Sequence, residues 1–388
     1  MAGFCEMPEA MALQILSWLP PKSLMRFRCV RKSWYKFINN PSFVDVHLSK
    51  SIDNSFQSST CILFKRYVLN DTDNGSTKIL LSLIDLCNDN NSDVYYLQDL
   101  NLKVPISLGL RHEFLDIAGH CHGIICLTDY SENVFLCNPA LKESKLLPKS
   151  CLRLPPPKEI NILQSTGIAV GFGYDRKAKD YKVVRIAMHF EGFWILFHPH
   201  MAEVYTMSSN SWREIKVDIP SSVVWSPSSQ MYFKGFYYWF AIELDKQTLD
   251  ENKKVILSFD MDDELFCDIP VPESLQDTKE CYGSLAVWNG SVALFSFHIE
   301  SGIRKSIGIW EMNDLEGSWT KHLTIVPIAG FGMPLTFWNS DELLVVAADG
   351  RVVSHNFHTK MLKELPVSGV FLERFQAFVY VHSLVSVK

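Results

Sequence analysis

Gly235-Phe-Tyr-Tyr-Trp239, Gly290-Ser-Val-Ala-Leu294 and Ser340-Asp-Glu-Leu-Leu-Val345 are three copies of one pattern, a turn followed by an apolar strand. A fourth copy stands earlier, at Gly123-Ile-Ile-Cys-Leu127. Between the copies runs a second unit, an apolar strand ending near an Asp or Asn turn with a large apolar residue a few positions on. It occurs at Glu203-Val-Tyr-Thr206 with Trp212, Leu257-Ser-Phe-Asp260 with Phe266, Ile309-Trp-Glu-Met312 with Trp319, and Ser354-His-Asn-Phe357 with Leu362. Gly235 and Gly290 are 55 positions apart, and Gly290 and Ser340 are 50 apart. A repeat of that length with several strands buries its faces only by stacking on its neighbours.

The fold class expected is therefore mainly β, a kelch-like β-propeller of about six or seven blades preceded by an N-terminal α unit. An irregular pair of β-sandwiches is the alternative, because the first half repeats poorly. Strand-like segments at the two ends of the β region, 60–64 and 377–381, are candidates to pair and close the ring.

Upstream the period changes. Ala12, Ile15, Leu16 and Leu19 recur at helical spacing until Pro20 and Pro21 stop them. Ser23 is placed as an N-cap for a second short helix carrying Leu24 and Phe27. A third helix sets Val30, Trp34, Phe37 and Ile38 on one side and ends at Asn39-Asn40-Pro41. Three short helices cannot bury their own apolar residues, so they need another surface, either the β body or another protein. The domain limits expected are 5–50 for the helices and 58–388 for the β region.

Composition excludes several classes. Of 388 residues 47% are hydrophobic and 21% charged, the balance of a globular protein rather than a disordered one. No apolar run reaches the length of a membrane span, and Glu6 and Glu9 stand where a secretory signal carries Lys or Arg, so the expected location is cytosol or nucleus. The ten cysteines form no C-x-x-C pair and read as reduced, small core residues. Residues 1–50 hold seven Lys/Arg against three Asp/Glu, which leaves 30 against 40 for the rest, a basic head on an acidic body. Such a split suggests an acidic partner for the first part and a basic one for the second.

Motifs for chemistry are weak. His120-Cys121-His122 with Cys126 has metal-ligand types, but on a strand the two histidines face away from Cys121 and no second cluster completes a shell. Gly171-Phe-Gly173-Tyr-Asp175 lacks the third glycine of a phosphate loop and reads as a β-turn. No nucleophile elbow or H-E-x-x-H helix is present. No catalytic residue, metal or cofactor is therefore expected, nor a nucleic acid or membrane partner. The aromatic stretch with Phe190, Phe193, Trp194 and Phe197 is the candidate contact loop, since aromatic side chains dominate interface hot spots. Pro155-Pro-Pro157 and the polar run 245–252 are further candidate rim loops.

Pro8, the Ile15-Leu16 pair, Leu19-Pro20, Leu24, Val30 and Trp34 resemble the spacing of an F-box, with Met7 where that family usually has Leu and Ala10 where an acidic residue is common. Beyond it, PKSLMRFRCVRKSWYKFINNPSFV (21–44), LCNPALKESKLLP (136–148), GFGYDRKAKDYKVVRI (171–186), AEVYTMSSNSWREIK (202–216), ILSFDMDDELFCDIPVP (256–272) and GSWTKHLTI (317–325) follow in order. The whole resembles plant F-box proteins with a type-1 F-box-associated domain, and among them the S-locus F-box family of pollen.

That resemblance implies a non-catalytic substrate receptor of a Skp–cullin–F-box ubiquitin ligase, acting in the pollen and pollen tube. It implies an acidic Skp-type adaptor and a cullin as partners and basic S-ribonucleases as substrates. It also implies adaptor docking through Pro8, Leu16, Leu19, Pro20, Leu24, Val30 and Trp34. An F-box receptor for an unrelated plant target, and a kelch-like carbohydrate-binding or oxidase propeller, are the alternatives.

Overall fold

The computed structural model describes residues 9–55, 61–70, 76–89, 92–100, 115–129, 133–152, 164–191, 195–196, 200–219, 223–244, 251–276, 281–300, 303–325 and 332–388. It is a helical head followed by a six-bladed β-propeller. No described helix is long and apolar enough to cross a membrane.

The head has four helices: α1 (Glu9–Leu16), α2 (Pro21–Phe27), α3 (Lys32–Ile38) and α4 (Pro41–Ser55). Two expectations fail here. Pro21, not Ser23, opens α2, and its Pro20 cap makes no side-chain bond. A proline at the first helical position loses only an N–H that has no intrahelical partner. For the same reason Pro41, just after the Asn39 cap of α3, begins a fourth helix, which the sequence reading stopped short of.

Blade 1 contains β1 (Cys61–Leu69), β2 (Thr77–Asp89) and β3 (Ser92–Asp99); blade 2 contains β4 (Leu115–Cys121), β5 (Ile124–Asp129), β6 (Val134–Asn138) and β7 (Glu143–Leu146). Blade 3 runs from β8 (Gln164–Asp175) and β9 (Asp180–Glu191) to β10 (Ile195–Leu196), β11 (Met201–Thr206) and β12 (Ser211–Ile215). Blade 4 is β13 (Val223–Phe233), β14 (Phe236–Leu244), β15 (Glu251–Asp260) and β16 (Phe266–Pro270). Next, after the short helix α5 (Glu273–Gln276), comes blade 5, with β17 (Cys281–Trp288), β18 (Ser291–Glu300), β19 (Ile303–Met312) and β20 (Trp319–Ile325). Blade 6 is β21 (Met333–Phe337), β22 (Glu342–Val346), β23 (Arg351–Asn356) and β24 (Leu362–Ser368). The last strand, β25 (Gln376–Tyr380), returns to blade 1 and pairs antiparallel with β1, Cys61 opposite Tyr380 and Phe64 opposite Ala377. This is the ring closure expected from the two chain ends, and it pairs the strand edge that an open ring would leave exposed.

The repeat units of the sequence map onto fixed places in the blades. The glycine units are the hairpins between the first and second strands, where His122 and Gly123, Lys234 and Gly235, and Asn289 and Gly290 all have positive φ. Two consecutive residues of that kind make the tight turn whose twist suits a β-hairpin, and glycine holds its second position without strain. The second unit is the outer hairpin: Tyr205 pairs with Trp212, Phe259 with Phe266, Met312 with Trp319, and His355 with Leu362.

Successive residues of a strand point to opposite faces, and here both faces are buried between blades. On β1, Cys61 and Leu63 pack towards blade 2 while Ile62 and Phe64 pack towards blade 6. On β14, Tyr237 and Trp239 face blade 3 while Tyr238 and Phe240 face blade 5. Six apolar clusters fill the six seams in this way, which is why the middle strands read as continuous apolar runs instead of alternating ones. A seventh cluster, Leu16, Leu24, Ile38 and Phe43 with Leu141 and Leu384, seats the head on blade 2 and on the C-terminal tail.

Candidate functional site

The head offers one face to its own chain and another to solvent. Leu16 is 3% exposed and Leu24 is 0%, whereas Met11, Ile15 and Trp18 are 50% exposed or more. Met11, Ile15 and Trp18 recur at i, i+4 and i+7, so they form one outward stripe that begins on α1 and ends just past it. The single stripe expected from Ala12, Ile15, Leu16 and Leu19 is thereby split, with Leu16 turned inward and Ile15 outward. Helix α4 braces the back of the stripe: His47 bonds the Leu19 carbonyl at 3.0 Å, and the Lys50 ammonium lies 4.5 Å from the centre of the Trp18 ring. Val30, at 58%, Tyr35, at 57%, and Val46, at 50%, are the other large apolar side chains exposed among the described residues of the head.

The residues expected to dock an adaptor therefore fall into three groups. Pro20 and Val30 are exposed, Leu19 and Trp34 are half-buried, and Leu16 and Leu24 lie in the head's core. Trp34 meets Phe27 edge-on at 5.5 Å, so part of its ring is used internally. Pro8 lies outside the described residues. Met11 and Trp18 were missed by the sequence reading, although their spacing from Ile15 is the signal that finds them.

The second feature is a cavity of about 1190 Å³ along the ring axis. Its wall comes from β4, β13, β17, β21 and β25, and includes Trp288, Phe337 and Phe378. Ile52 of α4 lies at the mouth with the hairpin residues Lys234, Asn289 and Gly290, so the head borders the end of the cavity where the inner hairpins turn. Lys234 and Glu373 are the only Lys, Arg, Asp or Glu among its lining residues. His120, in ring contact with Phe378 at 5.0 Å, has its pKa pushed down to about 4 by burial and then by His122, so it is neutral at physiological pH. A wall of this composition accommodates uncharged, apolar groups, because a charge there would be desolvated without a partner.

The wall is locked by side chains that cross the ring. In β4 the pairing register shifts between Ile117 and Gly119, which takes the backbone at this point out of the regular ladder. Gln376 of β25 accepts a hydrogen bond from Ile117 N–H and donates one to its carbonyl, while Tyr237 of β14 donates its hydroxyl hydrogen to the Ala118 carbonyl. Blades 1, 2 and 4 are thus tied together around the slot of blade 3.

Of the other candidates, His120, Cys121 and His122 line this cavity and the rest of the described ones lie outside it. His120 is on β4, but His122 has left the strand for the turn, where its Nδ1 is 3.1 Å from the Tyr181 hydroxyl. Gly171 and Gly173 sit inside β8 rather than in a β-turn, which occupies the residues after Asp175. A Cβ on Gly171 would come within 2.8 Å of the Tyr237 ring, so the glycines let aromatic side chains of blade 4 press against blade 3. The cysteine expectation holds in part: Cys61, Cys121, Cys126 and Cys137 are buried, but Cys29, Cys151 and Cys267 are exposed. Of the aromatic contact loop, Phe193, Trp194 and Phe197 lie outside the described residues, as does the Phe190 side chain, and so do residues 155–157 and 245–250 of the candidate rim loops.

Comparison with known proteins agrees with this architecture. The F-box domain family matches residues 4–45, and the F-box associated beta propeller domain family matches residues 100–387. The chain is similar to an F-box/kelch-repeat protein of Arabidopsis thaliana, 26% identical over 359 residues, covering 88% of this chain and 84% of the relative. It is also similar to the F-box protein CPR1 of the same plant, 24% identical, covering 79% of this chain and 70% of that one. A second F-box/kelch-repeat protein of Arabidopsis is 23% identical, covering 85% and 78%.

Proposed function

Because the chain belongs to the plant F-box proteins that carry an F-box associated β-propeller, we propose that it is the substrate receptor of a Skp–cullin–F-box ubiquitin ligase. The observation that carries the reading is the two-faced head: one face is seated on the propeller by Leu16, Leu24 and Leu384, and the other presents Met11, Ile15 and Trp18 to solvent. A contiguous apolar stripe on a small helical unit calls for a partner surface. In this reading Pro8, Pro20, Val30 and Trp34 contact a Skp-type adaptor together with the stripe, Leu19 borders the contact, and Leu16 and Leu24 hold the helices in place beneath it.

No nucleophile of this chain takes part. A rigid propeller that holds the target while the head is anchored to the ligase raises the local concentration of a target lysine near the loaded ubiquitin enzyme. The substrate reading is a basic S-ribonuclease recognised in pollen. It is supported by the charge split, since the part after residue 50 carries 30 basic against 40 acidic residues. A target of another kind is the second reading, favoured by the names of the relatives, which state F-box membership and no ribonuclease.

The test is co-purification of the full chain with a Skp-type adaptor, beside an Ile15→Asp, Trp18→Asp variant. Binding by the wild type and loss in a folded variant supports the receptor reading; a folded wild type that does not bind removes it. The complex is then offered S-ribonucleases. Capture that weakens with added salt supports the charge argument, and failure to capture any of them leaves the second reading.

A further inference from the structure

We propose that Cys61, Asp85 and His382 form a zinc site that pins the closing seam of the propeller. The donor atoms of these three side chains lie within 4.8 Å of one another, and no other described residues of metal-ligand type are grouped in this way. They come from three separate stretches of chain. Cys61 begins β1, Asp85 is its direct cross-strand partner on β2, and His382 follows β25 by two residues. The three stretches meet only when β25 has returned to β1, so an ion held there is held by the closed ring alone.

The chemistry suits zinc better than a hard cation. A thiolate and an imidazole are the donors zinc accepts, while calcium and magnesium require oxygen. Tetrahedral zinc with ligand bonds of about 2.0 to 2.3 Å sets its donors roughly 3.3 to 3.8 Å apart. His382 Nε2 and Asp85 Oδ1 are 3.6 Å apart. The thiol is buried, while the Asp85 and His382 side chains are 46% and 31% exposed, which leaves the fourth position open to water. Tyr380, 5.3 Å from His382 and perpendicular to it, sets the orientation of the imidazole.

Binding balances without an outside reagent. Zn²⁺ displaces the proton of the Cys61 thiol, which leaves to solvent; the Asp85 carboxylate and the His382 Nε2 each donate a lone pair. Thiolate and carboxylate together cancel the charge of the ion. Outside the three ligands, Lys22 of α2, which is tied to Gln98, adds positive charge near Asp85. It lowers affinity without blocking any ligand atom. Because the unfolded chain has no preformed site, binding adds to the stability of the folded ring by mass action.

The experiment strips the full-length protein with chelator, restores ZnCl₂, and measures bound zinc, proton release and Tm. Cobalt in place of zinc serves as a spectroscopic probe of the thiolate. The wild type is expected to bind one ion, release about one proton per ion and gain several degrees of Tm. His382→Gln, which is half-buried and keeps a polar side chain beside Asp85, should lose the metal-dependent rise in Tm measured against its own metal-free value; Cys61→Ser should lose the cobalt–thiolate absorption. A wild type that neither binds zinc nor shifts in Tm overturns the proposal. So does a His382→Gln protein that responds to zinc as the wild type does.

Discussion

Gln376 and Ile117 stand 259 positions apart, yet the side-chain amide of one satisfies both backbone groups of the other, at 3.0 and 3.1 Å. Gln376 is the first residue of the ring-closing strand, and Ile117 lies at the irregular point of β4. Closing the ring therefore also completes the hydrogen bonding of blade 2. Gln376→Leu fills the same space but leaves the buried Ile117 N–H without this partner, at roughly 1 to 3 kcal/mol, and leaves its carbonyl only the longer bond from Gln230, at 3.5 Å. We expect a loss of about 2 to 4 kcal/mol in chemical denaturation, with Gln376→Glu, which keeps the acceptor, falling between. A Leu variant as stable as the wild type would show that the clamp contributes nothing.

The histidines at the end of β4 set a pH dependence. Burial lowers both His120 and His122 from 6.5 to about 4. Below pH 6.5 the unfolded chain takes up protons that the folded chain refuses until about pH 4. The stability they contribute is therefore complete above pH 6.5 and is lost as pH falls towards 4. For His120 the loss is on the order of 3 kcal/mol across that window. His120→Phe keeps a ring against Phe378 and removes the titration. Stability of that variant, measured from pH 7 to pH 4, should fall less steeply than that of the wild type; identical slopes would mean His120 is hydrated and titrates normally.

How far this fold could be read in the sequence depended on whether a feature was periodic or local. Repeats at Gly235, Gly290 and Ser340 have one physical cause, a tight hairpin between the first two strands of a blade, and so the propeller and its closure were legible. Blades 1 to 3 were harder, because β2, β8 and β9 are long, and consecutive residues such as 81–84, 169–173 and 181–188 are buried on both faces, which erases the alternation that marks a half-exposed strand. The head shows a different limit. Its helical spacing was plain, but periodicity cannot tell an inward from an outward face when both are apolar, and it is membership of the cluster with Leu24, Ile38, Phe43, Leu141 and Leu384 that separates Leu16 from Ile15. Pro41 was read as a stop because nothing local distinguishes a helix-ending proline from a helix-starting one.

Gly171 illustrates a local feature whose meaning lies in another blade. Its backbone is ordinary strand, but an added Cβ would meet Tyr237 at 2.8 Å and Trp239 at 2.9 Å. Both rings are fully buried and cannot swing away. Gly171→Ala should therefore cost about 1 to 3 kcal/mol by overpacking, even though alanine is no worse than glycine in a strand. Gly290→Ala has nothing within 4 Å of the new Cβ and tests backbone strain alone. If thermal unfolding shows Gly171→Ala unchanged, the seam between blades 3 and 4 is looser than its contacts imply.

Ile15 and Leu16 are neighbours with opposite surroundings, and the receptor reading predicts opposite phenotypes for them. Ile15 is 50% exposed and Leu16 is 3% exposed. A carboxylate at Ile15 stays in water, so Ile15→Asp should alter stability by no more than about 0.5 kcal/mol while abolishing adaptor capture. A carboxylate at Leu16 is forced among Leu24, Ile38, Phe43 and Leu384, where it has no partner. Leu16→Asp should cost several kcal/mol and loosen the head from blade 2, so that its loss of binding comes with faster proteolysis near the start of the chain. Limited proteolysis run beside the co-purification separates the two causes. If Ile15→Asp binds the adaptor as the wild type does, the outward stripe is not the docking face, and Val30 and Tyr35 become the surface to test next.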